Sequence, residues 1–403
     1  MGIRPIIGGD DTHDLGAQPS CLCADGHIQD HPPGLRACHT GIVLRIFGGS
    51  VLATLAVLVA ALMLGGPRVA LLVAVLAVLE ISLSFDNAVI NAGVLRRMSP
   101  VWQRLFLTVG VLIAVFGMRL VFPILVVSVT AHLSPATVTD LALHDGAAYG
   151  RQLAEAHSAI AAFGGTFLLM IFLDFLVADR EIRWLRWIEA PLARAGRLPA
   201  FSVVLTLGSL LGLTVSVSAP HERTVLVAGV AGLVTYLLVH GVSDLVAPAE
   251  HKESSGRREA ALATGKAALA LFCYLEVLDA TFSFDGVIGA FAISSDVFVI
   301  AAGLGIGALF IRSLTVWLVR RGTLEEYVFL EHGAHYALGA LAVILGLSIE
   351  HEIPEVVTGL IGASFIALAY GSSLRRRRRL RQNEERRASG SGRDATHREP
   401  LPG

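Results

Sequence analysis

Ten stretches of apolar residues, each near the roughly 20 residues that a bilayer crossing needs, leave this chain few folds to choose from. They fall at 46–65, 69–94, 105–131, 158–178, 200–218, 224–246, 265–292, 297–319, 334–350 and 355–374. In hydrocarbon each backbone N–H and C=O must find its partner inside the chain, and a helix satisfies its own. The expectation is an all-α membrane protein with about ten transmembrane helices. Composition agrees: 54% of residues are hydrophobic, 16% are charged and mean hydropathy is +0.65, too apolar for a soluble chain of ordinary make-up.

The loops sort by their arginines and lysines. Arg96, Arg97 and Arg104 follow the second stretch, Arg180 to Arg197 the fourth, Lys252 to Arg258 the sixth, Arg320 and Arg321 the eighth, and the run Arg375 to Arg379 the tenth. Loops after odd stretches are poor in such charge, as in Asp140, Asp145 and Glu155 or Ser294-Ser295-Asp296. The positive-inside rule then places both termini in the cytoplasm of a multi-pass protein, with the cell (plasma) membrane as the expected location. Residues 180–199 mix tryptophans with arginines, which fits a helix lying in the membrane interface or packed on its neighbours.

Residues 1–44 read as a disordered leader or an upstream mis-called start. Cys21, Cys23 and Cys38 lie there among histidines without a zinc-knuckle spacing. Residues 376–403 read as a disordered basic tail. Its arginines suit anionic lipid, and no nucleic-acid partner is expected.

Acids interrupt two of the apolar stretches in matching fashion. Glu80-Ile81-Ser82-Leu83-Ser84-Phe85-Asp86-Asn87 stands in the second, and Asp279-Ala280-Thr281-Phe282-Ser283-Phe284-Asp285-Gly286 in the seventh. Each copy is followed by a stretch carrying one arginine, Arg119 and Arg312. His157 and Gly164 correspond in the same way to His332 and Gly339, and Pro199 to Pro354. Five stretches therefore repeat as five, over 45–220 and 221–375. Because five is odd, the second repeat enters from the other side, giving two inverted-topology repeats.

A carboxylate in hydrocarbon is costly, so acids placed twice mark a site. With Glu276 there are five carboxylates (Glu80, Asp86, Glu276, Asp279 and Asp285) against Arg119 and Arg312, a balance of two minus five, or −3. Protons or bound cations must meet that deficit. The donors, including Asn87, Ser84 and Ser283, are oxygens, which suits Mn2+, Mg2+ or Ca2+ better than Cu+ or Zn2+. Either segment can be broken near Ser84 or Ser283. In a regular helix Asp86 lies about 9 Å beyond Glu80, toward the cytoplasm in this topology. His240 with Asp244, His332 with His335, and Cys273 read as interfacial or packing residues.

These motifs resemble the TerC family of integral membrane proteins. Within it they are similar to the branch filed as domain of unknown function 475, through Ala162-Phe163-Gly164-Gly165-Thr166-Phe167, Tyr274-Leu275-Glu276-Val277-Leu278-Asp279 and Glu331-His332-Gly333-Ala334-His335. The resemblance covers about residues 45–375. It implies membership of a clan that includes lysine exporters, and manganese export, with Glu80, Asp86, Asn87, Asp279 and Asp285 as ion ligands. One departure is Gly286, where the first copy has Asn87 and many relatives carry serine.

The function expected is export of a divalent cation, Mn2+ first, by alternating access. No resident cofactor is expected, and oligomeric state is left open. The competing reading is a non-transporting partner in membrane-protein assembly or stress response. No enzyme is expected, since neither a His-Glu-x2-His run nor a Gly-x-Ser-x-Gly elbow occurs.

Overall fold

The computed structural model describes residues 33–180, 182–196, 198, 200–246, 262–320, 327–351 and 353–394. The side chains of 33–45, 242–246, 284, 285, 292, 355 and 384–394 lie outside the described set. The cysteine-bearing leader, the basic loop 247–261, and the side chains of Asp244 and Asp285 are therefore not described. Contacts divide the chain into Met1–Ile42 and Val43–Gly403, and everything below concerns the second unit.

The described residues are helical, in the order α1 Pro33–Leu83, α2 Phe85–Leu95, α3 Pro100–Leu112, a π-helix Ile113–Val121, α4 Phe122–Thr130, α5 Pro135–His144, α6 Gly146–Glu155, α7 His157–Val177, α8 Arg186–Ala195, α9 Phe201–Ser216, α10 Ala219–Val246, α11 Gly265–Ile293, α12 Val297–Arg320, α13 Leu330–Ser348 and α14 Glu355–Asp394. Among the described residues eight helices are long and apolar enough to cross a membrane, and α9 is a shorter apolar helix. The protein is a multi-pass helical membrane protein. The most enclosed of the eight is α7, against which α10 and α13 pack.

Several expected stretches take particular forms. The first two lie mostly within α1, whose Gly66 is non-helical at φ 76°, a left-handed conformation that glycine adopts without a Cβ clash. The second stretch breaks again at Ser84, whose hydroxyl donates to Glu80 Oε1 at 3.2 Å and leaves the start of α2 without a side-chain cap. The corresponding segment of the second copy is unbroken through Ser283 and Gly286. In the third stretch Pro123 lacks an N–H, and the winding immediately before it loosens to π-helix. Helix α14 runs past residue 375, through the five arginines.

Contacts sort the helix ends into two faces. On one, Arg97 and Ser99 bond the backbone of Ala263, and Arg96 and Arg180 both reach Glu331. On the other, Gly146 lies against the carbonyl of Ser295, His157 Nε2 is 3.4 Å from Ser348 Oγ, and Ser218 bonds Glu350 beyond the end of α13. The described arginine-bearing ends at Arg96, Arg97 and Arg180 thus share one face.

Candidate ion site

Two ion-paired groups occupy the middle of the structure. Glu80 at the end of α1 accepts from Arg119 Nη2, and both side chains are almost fully buried. The loose π winding also lets Arg119 turn Nη1 onto the carbonyl of Ala114 in its own helix. In the second group Arg312 Nη2 of α12 donates to Asp279 Oδ2 at 2.8 Å, and Glu276 Oε1 is 3.4 Å away. The Arg312 guanidinium also lies over the Phe106 ring, 3.8 Å from its centroid.

Asn87 joins the groups. Its Nδ2 donates to Asp279 Oδ1 at 2.7 Å, so α2 of the first half is tied to α11 of the second. Glu80, Ser84, Asn87, Arg119, Asp279, Ser283 and Arg312 line one cavity of about 10 Å3, on the order of a single water molecule or bare ion. Asn87 Oδ1 and Ser283 Oγ are buried there without a hydrogen-bond partner among the described residues. Buried polar atoms are nearly always paired, so these two oxygens mark a place where something else can bind.

Asp86 is placed differently from what regular helix geometry implies. The break at Ser84 lets it turn out of the small chamber, although it remains 8% exposed. Its Oδ1 accepts the N–H of Asn87 at 2.9 Å, and it sits in the first turn of α2, where the helix dipole favours an anion. It lines a second cavity of about 150 Å3 that it shares with Glu80 and Ser84 and that extends to His157, Ser348 and Ile353. Those residues belong to the face opposite the arginines, so Asp86 opens toward that face and not toward the arginine-rich one.

Glycines allow this crowding. A Cβ on Gly286 would sit 2.9 Å from Glu80 Oε2, and one on Gly110 would sit 2.8 Å from both Arg312 Nη1 and Glu276 Oε1. The glycine at 286 thus gives up a ligand and makes room for Glu80. Among the described residues no three His, Cys, Asp or Glu side chains form a ready metal site, and Arg119 and Arg312 pair with Glu80 and Asp279.

The sequence gives little notice of the arginine-face knot. Glu331 is 3.0 Å from Arg96, 3.5 Å from Arg180 and 3.9 Å from Arg97. Phe175 stacks on His335 and also carries Arg180 over its ring. Burial tends to lower the Arg180 pKa, and Glu331 opposes this. Residues 182–196 are fastened by Glu189, which accepts from the N–H groups of Trp184 and Leu185 and from the Tyr336 hydroxyl. Of the two readings of 180–199, these contacts fit a helix packed on its neighbours.

The family model described as "Protein of unknown function (DUF475)" matches residues 85–380. The chain belongs to this family. The matched region starts at the first residue of α2 and contains every central residue named above except Glu80 and Ser84. No curated protein and no solved structure matches the chain.

Proposed function

We propose that this protein exports a divalent metal cation, Mn2+ first, through the central chamber by alternating access, as a TerC-type carrier in the plasma membrane. Membership of the DUF475 family together with the many membrane-length helices supports a membrane transporter. The observation that carries the ion reading is one ion-sized chamber lined by acids from both copies of the motif, with Asn87 Oδ1 and Ser283 Oγ unpartnered beside them. Its donors are oxygens, which suits a hard cation.

Two inverted five-helix repeats are part of the proposal. Dividing the span Ile46–Leu83 at Gly66 and adding Phe201–Ser216 turns eight segments into ten. A straight helix of 38 residues would also be about 57 Å long, well beyond the hydrocarbon thickness. The arginine face would then be cytoplasmic, with both termini on it.

The mechanism follows from charge. Without the ion, Arg119 and Arg312 hold the carboxylates. A divalent ion entering between Asp279 and Glu80 takes over their oxygens, and each guanidinium swings aside. Because arginine keeps its proton, Glu80 and Asp279 stay paired with positive charge while the carrier returns. The test is Mn2+ uptake and equilibrium Mn2+ binding by purified protein in liposomes. Saturable flux that Asp279→Asn abolishes is expected. Wild-type protein that neither binds nor moves Mn2+, Mg2+ or Ca2+ favours the assembly-partner reading, in which Arg119 and Arg312 merely tie helices together.

A further inference from the structure

Asn91 stands apart from the chamber and is unusual among the described polar residues. It is fully buried, and neither its Oδ1 nor its Nδ2 has a hydrogen-bond partner among the described residues. An asparagine kept to tie helices together would spend its amide on a neighbour, and leaving it unpaired costs free energy.

Its position in the fold gives it a use. Helix α2 packs along α12. The central chamber reaches this interface at Asn87 on α2 and at Ile311 and Arg312 on α12. A separate cavity of about 190 Å3, lined by Leu95, Gln103, Arg104, Val316, Val319 and Arg320, reaches the same pair of helices nearer the arginine face. Asn87, Asn91 and Leu95 are spaced by four on one side of α2, so Asn91 is the turn midway, about 6 Å from either end along the axis. The matching turn of α12 holds Thr315, which is fully buried and whose hydroxyl donates to the Ile311 carbonyl at 2.9 Å, leaving its lone pairs free to accept.

We propose that the α2–α12 turn holding Asn91 and Thr315 is a second cation station, on the path between the central chamber and the arginine-face cavity. A hard cation cannot cross an apolar turn bare, and Asn91 Oδ1 with Thr315 Oγ1 replaces part of its lost hydration. The proposal rests on the transporter reading and assigns residues which that reading leaves unused.

The experiment uses full-length protein in liposomes, with Mn2+ as the probe, and compares wild type with Asn91→Leu, Asn91→Asp and Thr315→Val. Three quantities are read: initial flux, equilibrium Mn2+ binding and thermal unfolding. For Asn91→Leu, unfolding temperature should hold or rise because no partner is lost, binding should stay within about twofold, and flux should fall roughly tenfold or more. Asn91→Asp, which keeps the oxygen, should retain flux within about threefold, and Thr315→Val should lower it in the same sense as Asn91→Leu. Wild-type flux in Asn91→Leu overturns the station alone. Flux and stability falling together in Asn91→Leu means a structural role and also overturns it. If Asn91→Leu does not fold, wild-type flux in Thr315→Val overturns it. Absence of Mn2+ binding and flux in the wild type overturns the transporter reading and the station with it.

Discussion

Asn87 and Asp279 are 192 residues apart in the chain, yet Asn87 Nδ2 donates to Asp279 Oδ1 at 2.7 Å inside the protein. The bond uses one of the asparagine's two N–H groups and leaves its oxygen unpartnered beside the chamber. Asp279 is thus held from two sides, by Asn87 through one oxygen and by Arg312 through the other.

That double hold predicts strong coupling. Asn87→Ala and Asp279→Asn should each weaken Mn2+ binding, and the double variant should lose less than the sum, with a coupling energy of about 0.5–3 kcal/mol. Calorimetric titration of the four proteins closes the cycle. Strict additivity would mean that the pair does not act at the ion site.

Arg312 is buried against two carboxylates. Arg312→Gln leaves them unmatched, so the metal-free variant should lose about 3–5 kcal/mol of stability. Millimolar Mn2+ should restore much of it, since a cation then fills the same place, whereas Mn2+ should stabilise the wild type less. Thermal unfolding with and without Mn2+ decides this, and an equal metal effect on both proteins would count against the carrier mechanism.

The limits of the sequence are visible in particular residues. Glu80, Arg119, Asp279 and Arg312 were legible because charge in an apolar stretch needs a partner, and matched copies in two halves mark the partners. The charge of Asp86 in an apolar stretch was legible but its direction was not, because the winding departs from regular helix at Ser84, where the hydroxyl turns back to Glu80. Asn91 carried no signal, since one uncharged amide in an apolar stretch is ordinary until its surroundings are known. Glu331 stood out only as part of a family-like stretch, and only packing brings three arginines from two other segments onto it.

Close approach at Gly110 gives a prediction of its own. A methyl there would press on Arg312 and Glu276 together. Gly110→Ala should destabilise the protein by about 1–3 kcal/mol despite alanine's better helix propensity. An equal or higher unfolding temperature would show that the two charged side chains can shift without cost.

Glu350 carries a pH dependence outside the membrane helices. The Ser218 N–H, and then its hydroxyl, bond the charged carboxylate and hold its pKa below the usual glutamate range. A lowered folded-state pKa means that the contribution is fully present above the unfolded value and is lost as pH falls through the folded one. Hydrogen exchange at the Ser218 amide, corrected for intrinsic rate, should therefore accelerate as pH drops below about 4.5, and Glu350→Gln should flatten that rise. A profile unchanged by the substitution would remove Glu350 as the cause.

The loop ends fall on two faces of the helix bundle. The arginine-bearing ends meet one another at Glu331 and Ala263, while Gly146 meets Ser295 and Ser218 meets Glu350 at the other ends. Packing thus divides the described loop ends as charge does, without saying which group faces the cytoplasm. The positive-inside rule supplies that direction. Reporter fusions at Arg186, Arg258 and Arg376 should read as cytoplasmic, and those at Asp145 and Asp296 as external. The two kinds of evidence can fail separately. If all five sites reverse together, the two faces stand and only the charge rule fails. If Asp145 and Arg258 report the same side, the chain does not cross as an odd number of segments per repeat. The inverted arrangement would then be lost, and with it the placement of Glu80 and Asp279 as counterparts at mid-membrane.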